Sequence, residues 1–455
     1  MDSHQSADLF ATTTPDTSVV SAADVVNGVH KLAIEKEDDY EVHEDEFVTL
    51  EGINLYNPED SDALEDLENA FGYLVDIATQ ELQHAHRPVY TRALLERVKY
   101  WADQIRGELP LASDQRVLDH VDAYGLNKKE YRVWNRNGNI NANTLQVEYL
   151  SRVEMHPEFQ RRYGNHSEQI KALRRYNKNR AQDCIDTPYT FITFDRCFLN
   201  EQKDTATMSR YWNAIQHTKH LWIASSSRRQ LIETFQETAK KCAPITQVVC
   251  FGLGVLNLKK NFYHSAIQYM AVFSIIQTLN HHYYQTNPDR PFIRLVLQDP
   301  NYELKDHEIL RKLFNSNDNI SFVSDPDGLL AIDAGTLVVT AFLPVQMPLV
   351  QSMTDLFSEN PTQGPAAILC DVMKVGTGKR EYSLIERASQ AVFRHFATHY
   401  ERKENGFEDH GLEDELMVDA YGDDWAERNS MYWLNKMDLW MRKGGTNQGR
   451  SFVGY

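Results

Sequence analysis

Two glycines one residue apart, Gly252 and Gly254, directly follow the apolar run Gln247-Val248-Val249-Cys250-Phe251. A strand ending in such a turn lets backbone approach a phosphate or a ribose closely, because no Cβ intervenes. A second apolar run, Ile293–Leu297, ends in Gln298-Asp299-Pro300. A carboxylate at a strand end can accept hydrogen bonds from ribose hydroxyls. Gly252, Gly254 and Asp299 therefore sketch an adenosine or dinucleotide site, with Pro344 shaping its opposite wall. Two departures count against a standard dinucleotide fingerprint. Asn257 stands where its third glycine would be, and Asp299 follows Gly254 by 45 positions, where roughly 20 is usual. The plainer reading makes the glycines tight-turn residues and Asp299-Pro300 a strand stop.

No other catalytic set stands out. The chain has no G-x-S-x-G, P-loop or H-E-x-x-H motif. Its close histidine pairs, His84/His86 and His281/His282, sit at spacings that point in different directions on a helix, so surface histidines are expected rather than metal ligands. Cys250 lies inside an apolar strand, which suits an inert core thiol better than a nucleophile. Between residues 161 and 180, Arg161, Arg162, Lys171, Arg174, Arg175, Lys178 and Arg180 are opposed only by Glu168. That run reads as a solvated helix face or a surface for phosphates or acidic partners. Without an aromatic platform or zinc spacing, it argues against nucleic acid.

The elements that must position these residues follow from periodicity. Apolar runs at 247–251, 293–297, 320–323, 337–342 and 366–372 alternate with helix-like sequence at 263–279, 305–314 and 350–357. Strands apolar throughout, alternating with helices, predict a parallel sheet covered on both faces. Residues 245–375 are thus expected to form a Rossmann-like, doubly wound α/β domain. Upstream, Leu64, Leu67, Phe71, Leu74, Val75, Ala78 and Leu82 recur at helical steps, and Leu94, Leu95, Val98, Trp101 and Ile105 mark a second helix. Residues 61–130 are expected to be a helical module. Residues 131–244 form a connecting α/β region holding the basic run, with strands at 189–194 and 221–224. Ser226–Lys240 reads as a hydroxyl-capped helix with Leu231, Phe235 and Ala239 inside. Residues 376–455 are expected to be a helical extension.

Composition bounds the rest. At 455 residues and 42% hydrophobic, the chain can build a substantial core. Its net charge of -18 is concentrated. Residues 35–68 carry fifteen acids and one base, and residues 404–427 carry ten acids and no Lys or Arg. The remainder is mildly basic, near +6, from 40 acids against 46 bases. Residues 1–60 are expected to be a disordered acidic segment. Five scattered cysteines fit buried thiols in a reducing compartment. The polar first twenty residues make a secretory signal unexpected, and the apolar runs fall far short of the ~20 residues of a membrane span. A cytoplasmic or nuclear protein is the expectation.

Val248-Val249-Cys250-Phe251-Gly252-Leu253-Gly254, Ala266–Ala271 with its Gln268, Gln298-Asp299-Pro300 and Phe342-Leu343-Pro344 occur in an order that resembles the SRR-like family, named for sensitivity to red light reduced. The resemblance covers residues 245–375, and the long polar insertions look more like a fungal member. It implies an α/β domain with a regulatory role, as in plant light and clock signalling, and no secure enzymatic activity. Where the family tends to carry Pro-His-Cys, this chain has Pro344-Val345-Gln346. The expectation is therefore an intracellular regulatory or scaffold protein with unknown protein partners. A nucleotide-cofactor-dependent transferase or oxidoreductase is the alternative, and a role accessory to fungal small-molecule metabolism is a third. Gln268 is expected to bond to a neighbouring loop rather than to a ligand.

Overall fold

The five apolar runs form strands whose boundaries follow the apolar pattern to within two residues. In the computed structural model, the described residues are 48–50, 53–55, 72–83, 87–109, 115–121, 128–135, 144–163, 188–194, 205–258, 262–315, 318–341, 347–373, 379–384, 386, 388–405, 407 and 433–444. All of them fall in one compact unit, residues 45–412 and 431–455. Among them, no helix is long and apolar enough to cross a membrane.

The N-terminal elements are more varied than helical periodicity suggests. Strands β1 (Val48–Leu50) and β2 (Ile53–Leu55) pair antiparallel, Val48 opposite Leu55. The expected disorder of residues 1–60 thus does not extend to these six residues. Strand β3 (Val75–Asp76) precedes the short helix α1 (Ile77–Gln83). It interrupts the helix expected there because it pairs with β13 (Glu381–Tyr382) of the distant chain. Helix α2 (Arg92–Gly107) is capped by Thr91, whose side chain accepts from the Leu94 amide.

Strands β4 (Gln115–Val121), β5 (Lys128–Asn135), β6 (Thr144–Tyr149) and β7 (Tyr189–Phe194) form a four-stranded sheet in the order β4-β5-β7-β6. Residues 115–121 are therefore strand, not part of a helical module. Helix α3 (Pro157–Tyr163) lies between β6 and β7 in the chain.

Helices α4 (Thr205–Ala224) and α5 (Ser226–Lys241) follow. The expected strand at 221–224 is the last turn of α4. Tyr211, Ile215, Thr218 and Trp222 are all buried at three- and four-residue steps, and the Trp222 indole donates to Ser274 Oγ at 2.8 Å. A helical stripe outweighs the local β-propensity there. Helix α5 matches its expectation, with Leu231, Phe235 and Ala239 fully buried and Ser225 as its cap.

The main sheet comprises β8 (Gln247–Phe251), β9 (Arg294–Gln298), β10 (Ile320–Val323), β11 (Thr336–Thr340), β12 (Ala367–Asp371), β14 (Tyr400–Asn405) and β15 (Met437–Arg442). Its order is β10-β9-β8-β11-β12-β15-β14. The first five are parallel, and β15 is inserted antiparallel between β12 and β14. The fold is thus mixed α/β, with a mostly parallel sheet flanked by helices. Residues 400–405 and 437–442 are strands in the region expected to be a helical extension. Leu439 and Asp438 are fully buried there, and the Arg402 guanidinium meets the Asp438 carboxylate.

Helices α6 (Phe262–Thr286), α7 (Leu304–Phe314), α8 (Asp327–Ala331), α9 (Leu349–Leu356) and α10 (Gln390–His399) complete the unit. One core joins Leu94, Leu95, Val98, Ala102 and Ile105 of α2 to Val249 and Phe251 of β8, Val338 of β11, Met353 of α9 and Trp440 of β15. Val248 and Cys250 alternate with these strand residues, point to the other face and are equally buried.

Candidate functional site

The chain runs from β8 outward through β9 to β10, then returns to place β11 on the other side of β8. At such a reversal the connections leave in opposite directions, and a crevice opens beyond the carboxyl ends of the two middle strands. Phe251 is in register with Thr340 on one side and Gln298 on the other. Three strand ends therefore converge, continuing as Gly252, Asp299 and Ala341.

Both glycines adopt left-handed backbone, with φ of 65° at Gly252 and 77° at Gly254. Residues with a Cβ are disfavoured in that region, so the G-x-G pattern is explained by the turn. A Cβ on Gly254 would also lie 2.6 Å from Ser265 Oγ. The loop is fixed from several sides. The Gly252 amide donates to the Gln298 carbonyl at 3.0 Å, and the Gly254 amide to Asp299 Oδ2 at 3.1 Å. The Leu256 amide donates to Asp306 Oδ1 at 2.9 Å, and the Tyr269 hydroxyl to the Gly254 carbonyl at 2.6 Å.

Asp299 thus stands beside Gly254 and binds the loop. Its Oδ1 accepts from the Asn301 amide at 2.9 Å. Pro344, expected on the opposite wall, lies outside the described residues, as do Val345 and Gln346. Gln268 is buried within α6.

A second acid was missed. Asp325 lies two residues past the end of β10, Asp299 directly past the end of β9, and each precedes a proline. That repeated strand-Asp-Pro pattern was the available signal. Gln298 links the two strand ends: its Nε2 donates to Asp325 Oδ1 at 2.7 Å, and its Oε1 accepts from the Gly328 amide at 2.8 Å. A Cβ on Gly328 would fall 2.4 Å from that Oε1, which fixes the close approach. Arg106 of α2 donates to the Asp325 carbonyl at 2.7 Å. Burial pushes the Asp325 carboxyl up to about 7, opposed by the Gln298 hydrogen bond and the Arg106 charge and reinforced by Asp327 and Asp299. Burial likewise raises Asp306 to about 6.

Two hydroxyls near this edge are buried without a hydrogen-bond partner among the described residues. They are Thr340 Oγ1, 1% exposed at the end of β11, and Tyr149 OH, 5% exposed at the end of β6. After burial itself, Asp325 is the strongest influence on the Tyr149 hydroxyl. Cys250 is fully buried, which pushes its thiol well above the usual range. Among the described residues, no group of three or more His, Cys, Asp or Glu is placed to hold a metal ion. Of the basic run, Arg161 and Arg162 lie in α3, with the Arg162 guanidinium 4.8 Å from the Tyr73 ring centre. Residues 164–180 lie outside the described residues.

Residues 231–420 match the SRR1 domain. The matched stretch begins within α5 and runs past β14, so it is wider than the expected 245–375. Comparison with curated proteins gives no match, and neither does comparison with solved structures. The chain therefore carries an SRR-like domain.

Proposed function

We propose that this SRR-like domain protein is an intracellular regulatory or scaffold protein, working in the cytoplasm or nucleus, whose Rossmann-like, doubly wound domain takes a nucleotide-like small molecule. The ligand lies in the crevice above Gly252 and Gly254, with Asp299 beside its ribose. One observation carries the reading. The left-handed loop at the strand reversal is clamped by Asp299 from the neighbouring strand end, which fixes the shape of the turn where open α/β sheets bind ligands. The match to the SRR1 domain supports the regulatory class.

A thermal-shift panel on the whole chain tests it, using NAD(P), S-adenosylmethionine, ATP and haem. Saturation at one hundred times Kd should stabilise the protein by about 2.7 kcal/mol. Asp299→Asn should remove the shift while leaving a cooperative transition. A flat panel would defeat the ligand-binding reading.

Asp325 favours a second reading, a nucleotide-dependent transferase or oxidoreductase. A carboxyl raised to about 7 at the edge of a crevice is suited to exchange protons near neutral pH. Turnover of a bound nucleotide, lost in Asp325→Asn with binding retained, would separate this reading from the first.

A further inference from the structure

The two edges of the main sheet are built differently. At one end, β14 reads Tyr-Glu-Arg-Lys-Glu-Asn, with its register broken between Arg402 and Glu404 and with Glu401 paired to Lys403. Charges and bulges are how edge strands avoid pairing with other chains. At the other end, β10 reads Ile-Ser-Phe-Val and carries no charge, proline or register shift. It pairs with β9 along its whole length, and among the described residues no strand pairs with its other side. Backbone groups alternate in direction along a strand. The Asn319 carbonyl accepts from the Leu295 amide, so the amides and carbonyls of Ile320 and Phe322 turn outward.

Helix α7 runs beside that open edge. The His307 ring stacks on Phe322 of β10 at 3.9 Å, and the Arg311 guanidinium lies 5.1 Å from the same ring centre. Phe322 therefore sits under the middle of the helix. The outer face of α7 carries Leu304, Glu308 and Arg311, followed by the cap Asn315, all exposed at three- and four-residue steps. Neither Glu308 nor Arg311 takes part in an ion pair among the described residues. Leu304 is 66% exposed, and at the far end of α7 Phe292, 49% exposed, meets Phe314 at 6.2 Å. An open, uncharged strand edge flanked by solvent-facing leucine and phenylalanine is a surface that another chain can cover.

The charge order of α7 says which chain. A helix that meets its own copy across a twofold axis runs antiparallel to it, and the contacts are reciprocal. An axis between Glu308 and Arg311 sets the acid of each copy against the base of the other. The same axis brings exposed Leu304 of one copy to the Phe314 end of the other. Because Phe322 lies under 307–311, that axis also passes beside β10 and pairs two β10 strands antiparallel. The spacing agrees. Helices that cross between β9 and β10 in each copy lie two strand spacings apart, about 9–10 Å, and helices pack at about 8–10 Å.

From this geometry we infer that the β10–α7 edge binds a second copy of this chain, joining the two main sheets into one through antiparallel β10 pairing. The contact is independent of any ligand in the crevice.

Sedimentation equilibrium of the full chain from about 1 to 100 μM tests it. The wild type should be dimeric at the top of that range. Glu308→Arg and Arg311→Glu should each weaken association by about tenfold or more, because like charges then meet across the axis. An equimolar mixture of the two variants restores both opposite-charge pairs. It should associate as the wild type does, which a misfolded variant could not. Ser321→Lys, which places a charge on the open strand, should also abolish association. A wild type that stays monomeric throughout overturns the inference. So does a dimer that all three variants leave intact, or a mixture that associates no better than its components.

Discussion

The carboxylate of Asp299 and the amide of Gly254 meet at 3.1 Å across 45 positions of chain, joining the end of one strand to the turn that leaves its neighbour. This contact lets a left-handed turn stay open beyond the sheet instead of collapsing onto it. Gly254 is held on its other sides by the Tyr269 hydroxyl and by Ser265, whose Oγ occupies the space a Cβ would need.

Gly254→Ala should therefore cost more than backbone strain alone. The left-handed conformation costs about 1–2 kcal/mol for a residue with a Cβ, and the Ser265 clash adds to it. Ser265→Gly in the same chain should recover the clash but not the strain. Chemical denaturation of the two single variants and the double variant measures that coupling. Additive losses would show that Ser265 moves aside freely.

A buried charge cluster ties the N-terminal elements to α9 and α10. The Arg152 guanidinium lies 3.3 Å from Asp355 and 3.8 Å from Glu81, with all three side chains no more than 7% exposed. Asp355 also accepts from the amides of Val89 and Tyr90, and Glu81 from Ser389 and the Ala391 amide at the start of α10. Arg152→Ala would leave two buried carboxylates without their cation. It should lower stability by about 3–5 kcal/mol, read as a reduced denaturation midpoint. A loss below about 1 kcal/mol, the range of exposed pairs, would mean that water enters the cluster.

Glu154 gives a pH dependence with a definite sign. It is 2% exposed, and burial pushes its carboxyl up to about 7, offset in part by hydrogen bonds from Ser151 and reinforced by Glu148. A carboxyl whose folded value exceeds its ordinary one binds more protons folded than unfolded between those values. Stability then falls as pH rises from about 4.5 to about 7, by at most about 1.4 kcal/mol per pH unit. Glu154→Gln should remove that slope and gain most above pH 7. Melting curves at pH 5.5 and 8 for both proteins test it, and parallel profiles would refute the assignment.

Much of the parallel sheet was legible because strands buried on both faces must be apolar throughout, as Val248–Phe251 and Leu337–Val339 are. Strand β15 was hidden. It carries Asp438 as its second residue, which suggests exposure until Arg402 and the Met373 amide are seen to satisfy that carboxylate. Its sheet partners lie far away in the chain. The role of Asp299 was half legible: its strand-end position could be read, but the Gly254 amide as its partner depends on how two loops meet. Asp325 was overlooked because it lies outside the apolar run 320–323, and only its contact with Gln298 ties it to the same sheet edge. Thr340 carries no pattern at all, since only packing makes its hydroxyl an orphan.

The same hidden strand sets a test of what counts as the folding unit. Residues 231–420 cover the family match but omit α2 and β15. Without β15, strand β12 keeps β11 but loses its antiparallel partner over Ala367–Asp371, and β14 loses its only pairing among the described residues. Without α2, fully buried Leu95, Val98 and Ile105 vanish from the core that covers Val249 and Phe251. Each such side chain contributes about 1.5–3 kcal/mol of burial, so these three together remove roughly 5–9 kcal/mol, comparable with the 5–15 kcal/mol by which domains are usually stable. A 231–420 fragment should therefore show no cooperative melting by circular dichroism, whereas residues 72–444 should melt in one transition. Cooperative unfolding of the short fragment would show that α2 and β15 are appended to a self-sufficient sheet rather than part of it.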